Sequence, residues 1–335
     1  MFLKKYLPLL FFVAGSICFL YLAINHDINA IFHSLLRVGF VGFSSLLLLS
    51  LLNYPILALA WKRTTPELGF FQLLCSRIIR DSAAACLPFS QVGGILIGTY
   101  ATITFFSKKQ SRFLSKNEKR NIATASNLID ITIEAMAQVI FILTALFLLC
   151  VTHRSEDTYF KTVGASALIL AISLLLFAWL QSHFGHLSRF LIPKIRNQKW
   201  KRFFKQKLLR LGIQFSKIWD KPFQIIQGLF FHYLAWIFSA SLTWVALFLL
   251  SSHISWLNCL ILEGISCAII STFFFVPTSI GVQEGAYISL GLLFGIPAEI
   301  SFSLSLLRRG REIFVGVPAL LWWEGHEIIK NSRGK

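Results

Sequence analysis

The sequence predicts an all-α polytopic membrane protein with about six full spans and two re-entrant helical hairpins, arranged as an inverted repeat. Hydrophobic residues make up 56% of the 335 residues and charged residues 14%, whereas a soluble domain averages about 25% charged residues. Several apolar runs reach the roughly 20 residues that a helix needs to cross the hydrocarbon layer. Two similar stretches around Pro88 and Pro277 interrupt such runs with helix-breaking residues.

Apolar runs mark six spans, of which the last is interrupted by charges. The first is interpreted as an uncleaved span and not as a signal peptide, because it is long and no clean cleavage site follows it. The polar remainder is too small for a further soluble domain of about 100 residues, so residues 1–335 are predicted to form a single membrane domain. The spans are 7–24, 40–61, 122–151, 163–181, 229–250 and 299–324.

The net charge of +17 lies mainly in short loops beside apolar runs, which is the pattern of cytoplasmic loops and not of a nucleic-acid-binding protein. Residues 108–120 carry six basic residues and residues 189–221 carry eleven, whereas the loops 25–39, 152–162 and 251–256 carry only three together. We therefore expect a multi-pass protein of the cell inner membrane with both termini in the cytoplasm.

The two interruptions share a pattern in which Pro-x-Ser is soon followed by glycine. Proline removes a backbone N–H and glycine adopts positive φ, so the pattern breaks a helix. Paired breaks in two halves of a transporter mark its binding site. We interpret 71–106 and 257–296 as re-entrant hairpins, although full double crossings remain open, within repeats of about 40–151 and 229–324.

Residues 200–219, within a cytoplasmic segment of about 195–222, alternate aromatic or aliphatic residues with lysines and arginines at spacings of three and four. This pattern is typical of a basic amphipathic helix that binds anionic lipid headgroups. A positively charged linker that only fixes the topology is the equally weighted alternative.

Charged residues inside apolar segments are the candidate binding residues, because each costs roughly 2.5–3.5 kcal/mol at the bilayer centre on insertion scales. One hypothesis is a polar cavity between the hairpins. The alternative is internal salt bridging, for instance of Asp130 or Glu134 with Arg308 or Arg311. His232 is interpreted as a hydrogen-bonded packing residue. The predicted substrate-binding residues are Arg77, Arg80, Asp81, Ser90, Gly93, Gly94, Asp130, Glu134, Glu263, Ser279, Gly281, Gln283, Glu284, Arg308, Arg309, Arg311 and Glu312.

Catalytic and metal-binding motifs are absent from the sequence. It contains no HExxH, GxSxG, P-loop or CxxC pattern, and its six cysteines lie in or beside apolar segments. We therefore predict no enzymatic activity, no cofactor and no metal.

The same residues resemble a known family. Phe275 to Tyr287 reads FVPTSIGVQEGAY and is similar to the signature VPGALGVQEGAY, and Leu304 to Glu312 reads LSLLRRGRE and is similar to LSLLRRARE. Both resemble the flippase-like family of the lysylphosphatidylglycerol synthase transmembrane domain, most closely its members associated with hopanoid biosynthesis. The chain departs from the family pattern at Ile95, where an acidic residue is frequent, and at Thr278, where glycine is usual.

The resemblance implies a lipid flippase or lipid transporter that moves a polar-headed or hopanoid-type lipid between leaflets. Two alternatives remain open, a membrane-embedded lipid-modifying enzyme and a non-transporting partner of a lipid-synthesis complex. The expected partners are membrane lipids, with anionic headgroups at residues 200–219, and lipid-biosynthesis enzymes.

Overall fold

The computed structural model describes residue 13 and residues 16–87, 90–106, 114–152, 211–273 and 276–332, with isolated residues between 168 and 183. Every regular element in these ranges is helical, which confirms the predicted all-α class. In chain order the helices are α1 (Ser16–Asn25), α2 (Ile28–Leu51), α3 (Asn53–Thr64), α4 (Phe70–Cys86), α5 (Ser90–Thr104), α6 (Lys116–Thr152), α7 (211–219), α8 (Pro222–Leu249), α9 (Trp256–Thr272), α10 (Val282–Leu293) and α11 (Ala298–Ser332).

Within the described ranges, three helical stretches are both long and apolar enough to cross a membrane, namely Ile28–Thr64, Lys116–Thr152 and Pro222–Leu249. They contain the predicted spans 40–61, 122–151 and 229–250, apart from Leu250. The charged span 299–324 lies within the 35-residue helix α11. The predicted span 163–181 falls almost wholly outside the described residues, and only part of 7–24 is described.

Helix α2 begins earlier than predicted, so the prediction of a loop over 25–39 is wrong. The Asp27 carboxylate caps the helix, with Oδ1 accepting hydrogen bonds from the backbone N–H groups of Asn29 at 2.9 Å and Ala30 at 3.1 Å. His33 and Arg37, which fall within the predicted loop, lie on the exposed face of a helix whose other face is buried. Gly39 has φ +61° and kinks the helix where the predicted span begins.

Both predicted breaks are present. Leu87 ends α4 in an extended conformation, and α5 begins at Ser90. Between α9 and α10 a short 3₁₀ turn, Pro277–Ser279, interrupts the helix. The four flanking helices have 17, 15, 17 and 12 residues, so each is shorter than the roughly 20 residues of a perpendicular crossing. The re-entrant placement of these hairpins and their inverted-repeat relationship stay predictions.

The largest core cluster lies where α6, α8 and α9 meet, with Phe141, Leu247 and Ile261 fully buried. Gly264 of α9 allows the closest approach, since a Cβ atom there would lie 2.4 Å from the Cβ of Ala145 on α6. This contact of small residues brings α6 and α9 close together beside the buried Glu263.

Gly264→Ala is expected to destabilise the protein by about 1–3 kcal/mol, because the added methyl group forces α6 and α9 apart. This loss exceeds the gain in helix propensity of roughly 1 kcal/mol or less. Unfolding by SDS in mixed micelles measures the change. Gly325→Ala in α11 is the matched control, since a Cβ atom there meets no atom within 4 Å. A stability equal to the unsubstituted protein for Gly264→Ala would contradict the packing described.

The described part of the predicted amphipathic helix, α7, packs on the protein. Phe215 and Ile218 are buried against α6, while Lys217 is exposed. The buried apolar side chains of this part therefore contact α6 residues. Residues 200–210 lie outside the described residues, and lipid binding by the basic face stays a prediction. The α6 residues in this contact are Ala125, Ile129 and Ile133.

Candidate functional site

The first half of the chain forms an ion network between α4 and α6, which we call the α4–α6 network. Arg77 and Asp81 are one helical turn apart on α4, and Asp130 and Glu134 are one turn apart on α6. The Arg77 guanidinium donates from Nε to Asp81 at 2.7 Å and from Nη1 to Asp130 at 3.2 Å and to Glu134 at 2.8 Å. Its Nη2 donates to the other oxygen of Glu134, which makes that contact bidentate.

Arg80 completes this network from the next turn of α4. Its Nη1 lies 2.8 Å from Asp130, and its Nη2 lies 3.0 Å from Glu134. The guanidinium also stacks over the indole ring of Trp61, with its carbon 4.8 Å from the ring centroid. Two arginines therefore share three carboxylates in a place where either charge alone would be costly to bury.

Asp130 is the centre of the α4–α6 network. Its side chain is fully buried, and it binds both arginines and the Nε2 atom of His232, which lies 3.0 Å from Oδ1. His232 is thus hydrogen-bonded inside the bundle, as its interpretation as a packing residue requires. Internal salt bridging, the alternative to a polar cavity, is therefore present, but Asp130 and Glu134 pair with Arg77 and Arg80 and not with Arg308 or Arg311.

The second half of the chain forms a separate network of α8, α9, α10 and α11, which we call the Glu263 network. The Glu263 carboxylate is buried and accepts hydrogen bonds from Arg308 Nη1 at 2.5 Å and Tyr287 Oη at 2.8 Å. Thr243 of α8 donates to it at 2.9 Å, and Ser239 donates at 3.2 Å. Four donors surround one carboxylate, which offsets its desolvation.

The second break is held by Glu284 and Arg309. Arg309 Nε donates to Glu284 at 2.6 Å, and its two Nη atoms donate to the carbonyl oxygens of Thr278 at 2.9 Å and Ser279 at 3.1 Å. Glu284 also accepts a hydrogen bond of 2.7 Å from the backbone N–H of Gly281. These contacts satisfy the backbone groups that the broken helix leaves unpaired.

Backbone conformation at this break is unusual. Thr278, Ser279 and Gly281 all have positive φ, at 52°, 50° and 80°. Glycine adopts this conformation without strain, whereas threonine and serine do not. Thr278 therefore occupies a conformation that suits glycine, and the contacts of Arg309 with the carbonyl oxygens of Thr278 and Ser279 help to hold it.

Both networks face one central cavity of about 550 Å³. It is bounded by α2 to α6 on one side and by α8 to α11 on the other. Of the predicted binding residues, those that line the cavity are Arg77, Arg80, Asp81, Gly94, Glu134, Glu263, Ser279, Gln283, Arg308, Arg309, Arg311 and Glu312.

The remaining predicted residues stand outside this lining. Asp130 and Glu284 lie behind the arginines that they bind, and Gly281 donates its N–H to Glu284. Gly93 belongs to α5 one position before the cavity-lining Gly94. Ser90 begins α5, and its side chain lies outside the described residues.

Several residues that line the cavity were not predicted, chiefly Asn53, Tyr54, Gln138 and Tyr287. Gln138 continues the stripe of Asp130 and Glu134 at the same spacing of four, which is a usable signal. It donates to Ser271 of α9 at 2.7 Å. Tyr54 and Tyr287 lie within apolar runs where tyrosine usually marks a membrane interface, so the sequence gives no comparable signal for them.

Comparison with known proteins identifies the family of the chain. No curated protein and no solved structure matches the sequence. Residues 6–319 match the family of the lysylphosphatidylglycerol synthase TM region, which is most of the chain and includes both helix breaks and both ion networks. The chain therefore belongs to the lysylphosphatidylglycerol synthase transmembrane-region family.

Proposed function

We propose that the protein is a lipid flippase or lipid transporter of the bacterial inner membrane that takes a polar lipid headgroup into its central cavity. The observation that carries this proposal is the meeting of the two ion networks, one from each half of the chain, across a single cavity of about 550 Å³. Pockets for small molecules typically occupy about 300–1,000 Å³, so a headgroup fits while the acyl chains remain in the bilayer.

The charge of the lining supports a polar ligand. Five arginines and four carboxylates face the cavity, and ionised groups at membrane depth normally line a water-filled path or a binding site. A polycyclic ring system gains nothing from such groups, so a hopanoid-type lipid would enter by its polar end. Resemblance to family members associated with hopanoid biosynthesis supports that cargo, and the family description supports a lipid more generally.

The proposed movement is alternating access between the two halves. The break after Leu87 and the turn Pro277–Ser279 are the places where short helices can reorient without unwinding longer ones. Gly94 lets α5 approach α4 where both helices line the cavity, since a Cβ atom there would lie 2.9 Å from the Cβ of Ala84. Ionic contacts of Glu134 and Glu312, whose side chains are partly exposed, would exchange between protein and headgroup.

We further propose that both termini are cytoplasmic, that the halves are related as an inverted repeat, and that the basic segment 200–219 binds anionic lipids on the cytoplasmic side. The basic loops support this orientation. The proposed activity is transport and involves no covalent change of the lipid, no cofactor and no metal. Lipid-biosynthesis enzymes are the proposed protein partners.

Reconstitution into vesicles tests the proposal. Fluorescent analogues of phosphatidylglycerol, phosphatidylethanolamine and an aminoacylated phospholipid are placed in the inner leaflet, and their appearance outside is followed by dithionite quenching. We expect translocation of at least one analogue to exceed that of empty vesicles. Rates equal to those of empty vesicles for the whole panel would contradict the proposal and favour a non-transporting partner. Conversion of a lipid by the detergent-solubilised protein, detected by mass spectrometry, would favour an enzyme.

A further inference from the structure

Among the five arginines that line the cavity, Arg311 differs from the others in its contacts. Arg77, Arg80, Arg308 and Arg309 each bind a carboxylate within 3.2 Å. Within the part of the chain that the structure describes, Arg311 has no carboxylate within ion-pair distance and no hydrogen-bond partner. Its guanidinium carries five N–H donors and a permanent charge, so it offers the cavity an uncommitted cation.

Other unmet hydrogen-bonding groups line the same cavity. Among the described residues, the buried hydroxyl of Ser82 and the buried Oδ1 atom of Asn53 have no hydrogen-bond partner, and the buried Nε atom of Arg308 has none beyond an ion-pair contact of 3.4 Å with Glu312. Buried polar atoms are almost always paired, and a bound ligand would supply the missing partners. The Nε–H of Arg308 and the hydroxyl of Ser82 can donate to an anion. The Asn53 oxygen can accept a hydrogen bond from a hydroxyl group of the ligand.

These groups come from three helices, α3, α4 and α11. Helix α11 packs against α4 with Gly316 close to the backbone of Ser82, which keeps Arg311 and its neighbours on α11 beside the α4 lining. The site is therefore built by packed helices and does not depend on one flexible side chain.

We propose that Arg311 is the anchoring residue of an anion subsite that binds the phosphate of a phosphate ester, with Arg308 Nε and Ser82 as further donors. The inference rests on the proposed function and narrows it to ligands that carry phosphate. Arginine suits this ligand because its planar fork matches two phosphate oxygens. A phospholipid headgroup and free phosphate in solution both present the phosphate group that this subsite would bind.

The test measures binding of short-chain lipids to the full-length protein in detergent by isothermal titration calorimetry. Dihexanoyl phosphatidylglycerol is the probe, and dihexanoylglycerol, which lacks the phosphate, is the uncharged comparison. We expect Arg311→Gln to weaken binding of the phosphate-bearing probe about 10- to 100-fold. Arg311→Lys should recover part of the loss, because it restores the charge but not the fork.

Arg37→Gln is the matched control, since Arg37 is an exposed arginine of α2 outside the cavity lining, and it should bind as the unsubstituted protein does. Competition by inorganic phosphate as strong as that by the lipid would support the anion subsite and assign it to the free ion. Arg311 makes no ion pair or hydrogen bond among the described residues, so Arg311→Gln should retain the unfolding transition of the unsubstituted protein.

Two results would overturn the inference: binding by Arg311→Gln as tight as by the unsubstituted protein, or no binding of dihexanoyl phosphatidylglycerol to the unsubstituted protein. Its failure is distinct from failure of the proposed function. If the lipid crosses the vesicle membrane and Arg311→Gln binds the probe as tightly as the unsubstituted protein does, transport stands and the subsite is refuted. If Arg311→Gln binds the probe more weakly and no lipid crosses the membrane in any vesicle, the subsite stands and the proposed transport is refuted.

Discussion

Asn in place of Asp130 is expected to lower the free energy of unfolding by about 3–5 kcal/mol, because removing one member of a buried ionic group leaves its partners uncompensated. Asp130 is fully buried and binds Arg77, Arg80 and His232. Asparagine keeps the shape of the side chain, so the change reports the lost charge and not a cavity. SDS unfolding in mixed micelles, followed by tryptophan fluorescence, measures the difference.

The control for this variant is Glu324→Gln, which removes a carboxylate from the exposed end of α11 and should change stability by about 0.5 kcal/mol or less. A double-mutant cycle of Asp130→Asn with Arg80→Gln then measures the interaction energy between the two side chains. The double variant should lose less free energy of unfolding than the two single variants lose together. A loss below about 1 kcal/mol for Asp130→Asn would contradict a buried, fully ionised α4–α6 network.

Arg308→Gln is expected to slow lipid translocation about 10- to 100-fold, the effect of losing charge-assisted hydrogen bonds of about 1.5–3 kcal/mol. Arg308 joins α11 to Glu263 of α9 and to Tyr287 of α10, at 2.5 Å and 2.6 Å. Its loss uncouples these helices on the side of the cavity that holds the second break. The initial rate in reconstituted vesicles, per amount of folded protein, is the measurement.

Arg308→Lys distinguishes charge from geometry, since lysine keeps the charge but lacks the planar fork. An intermediate rate is expected. Arg37→Gln should translocate at the unsubstituted rate. If Arg308→Gln translocates lipid as fast as the unsubstituted protein, the Glu263 network has no part in transport.

The sequence alone predicts the helical class, the breaks at Pro88 and Pro277 and the presence of charged residues inside apolar segments. These features follow from local rules, because apolar length, proline with glycine and the cost of buried charge all act within a few residues. The start of α2 at Ile28 could not be predicted, because His33 and Arg37 are polar whether they lie in a loop or on an exposed helix face.

Partners within the ion networks could not be predicted either. Asp130 and Glu134 lie 53 and 57 residues from Arg77 in sequence, and Arg308 and Arg311 were equally acceptable candidates by charge. The choice depends on α4 packing beside α6, which is a tertiary contact. Tyr287 was missed for a similar reason, because its role depends on Glu263 lying 2.8 Å from its hydroxyl.

A density map of the protein in lipid nanodiscs, obtained by electron cryomicroscopy at a resolution that shows side chains, tests the central claim most directly. We predict density for a headgroup in the cavity, in contact with Arg311, while Arg77 remains on Glu134 and Arg308 remains on Glu263. Unbroken helices through Pro88 and Pro277, or a collapsed cavity with every charge paired and no room for a ligand, would contradict the account.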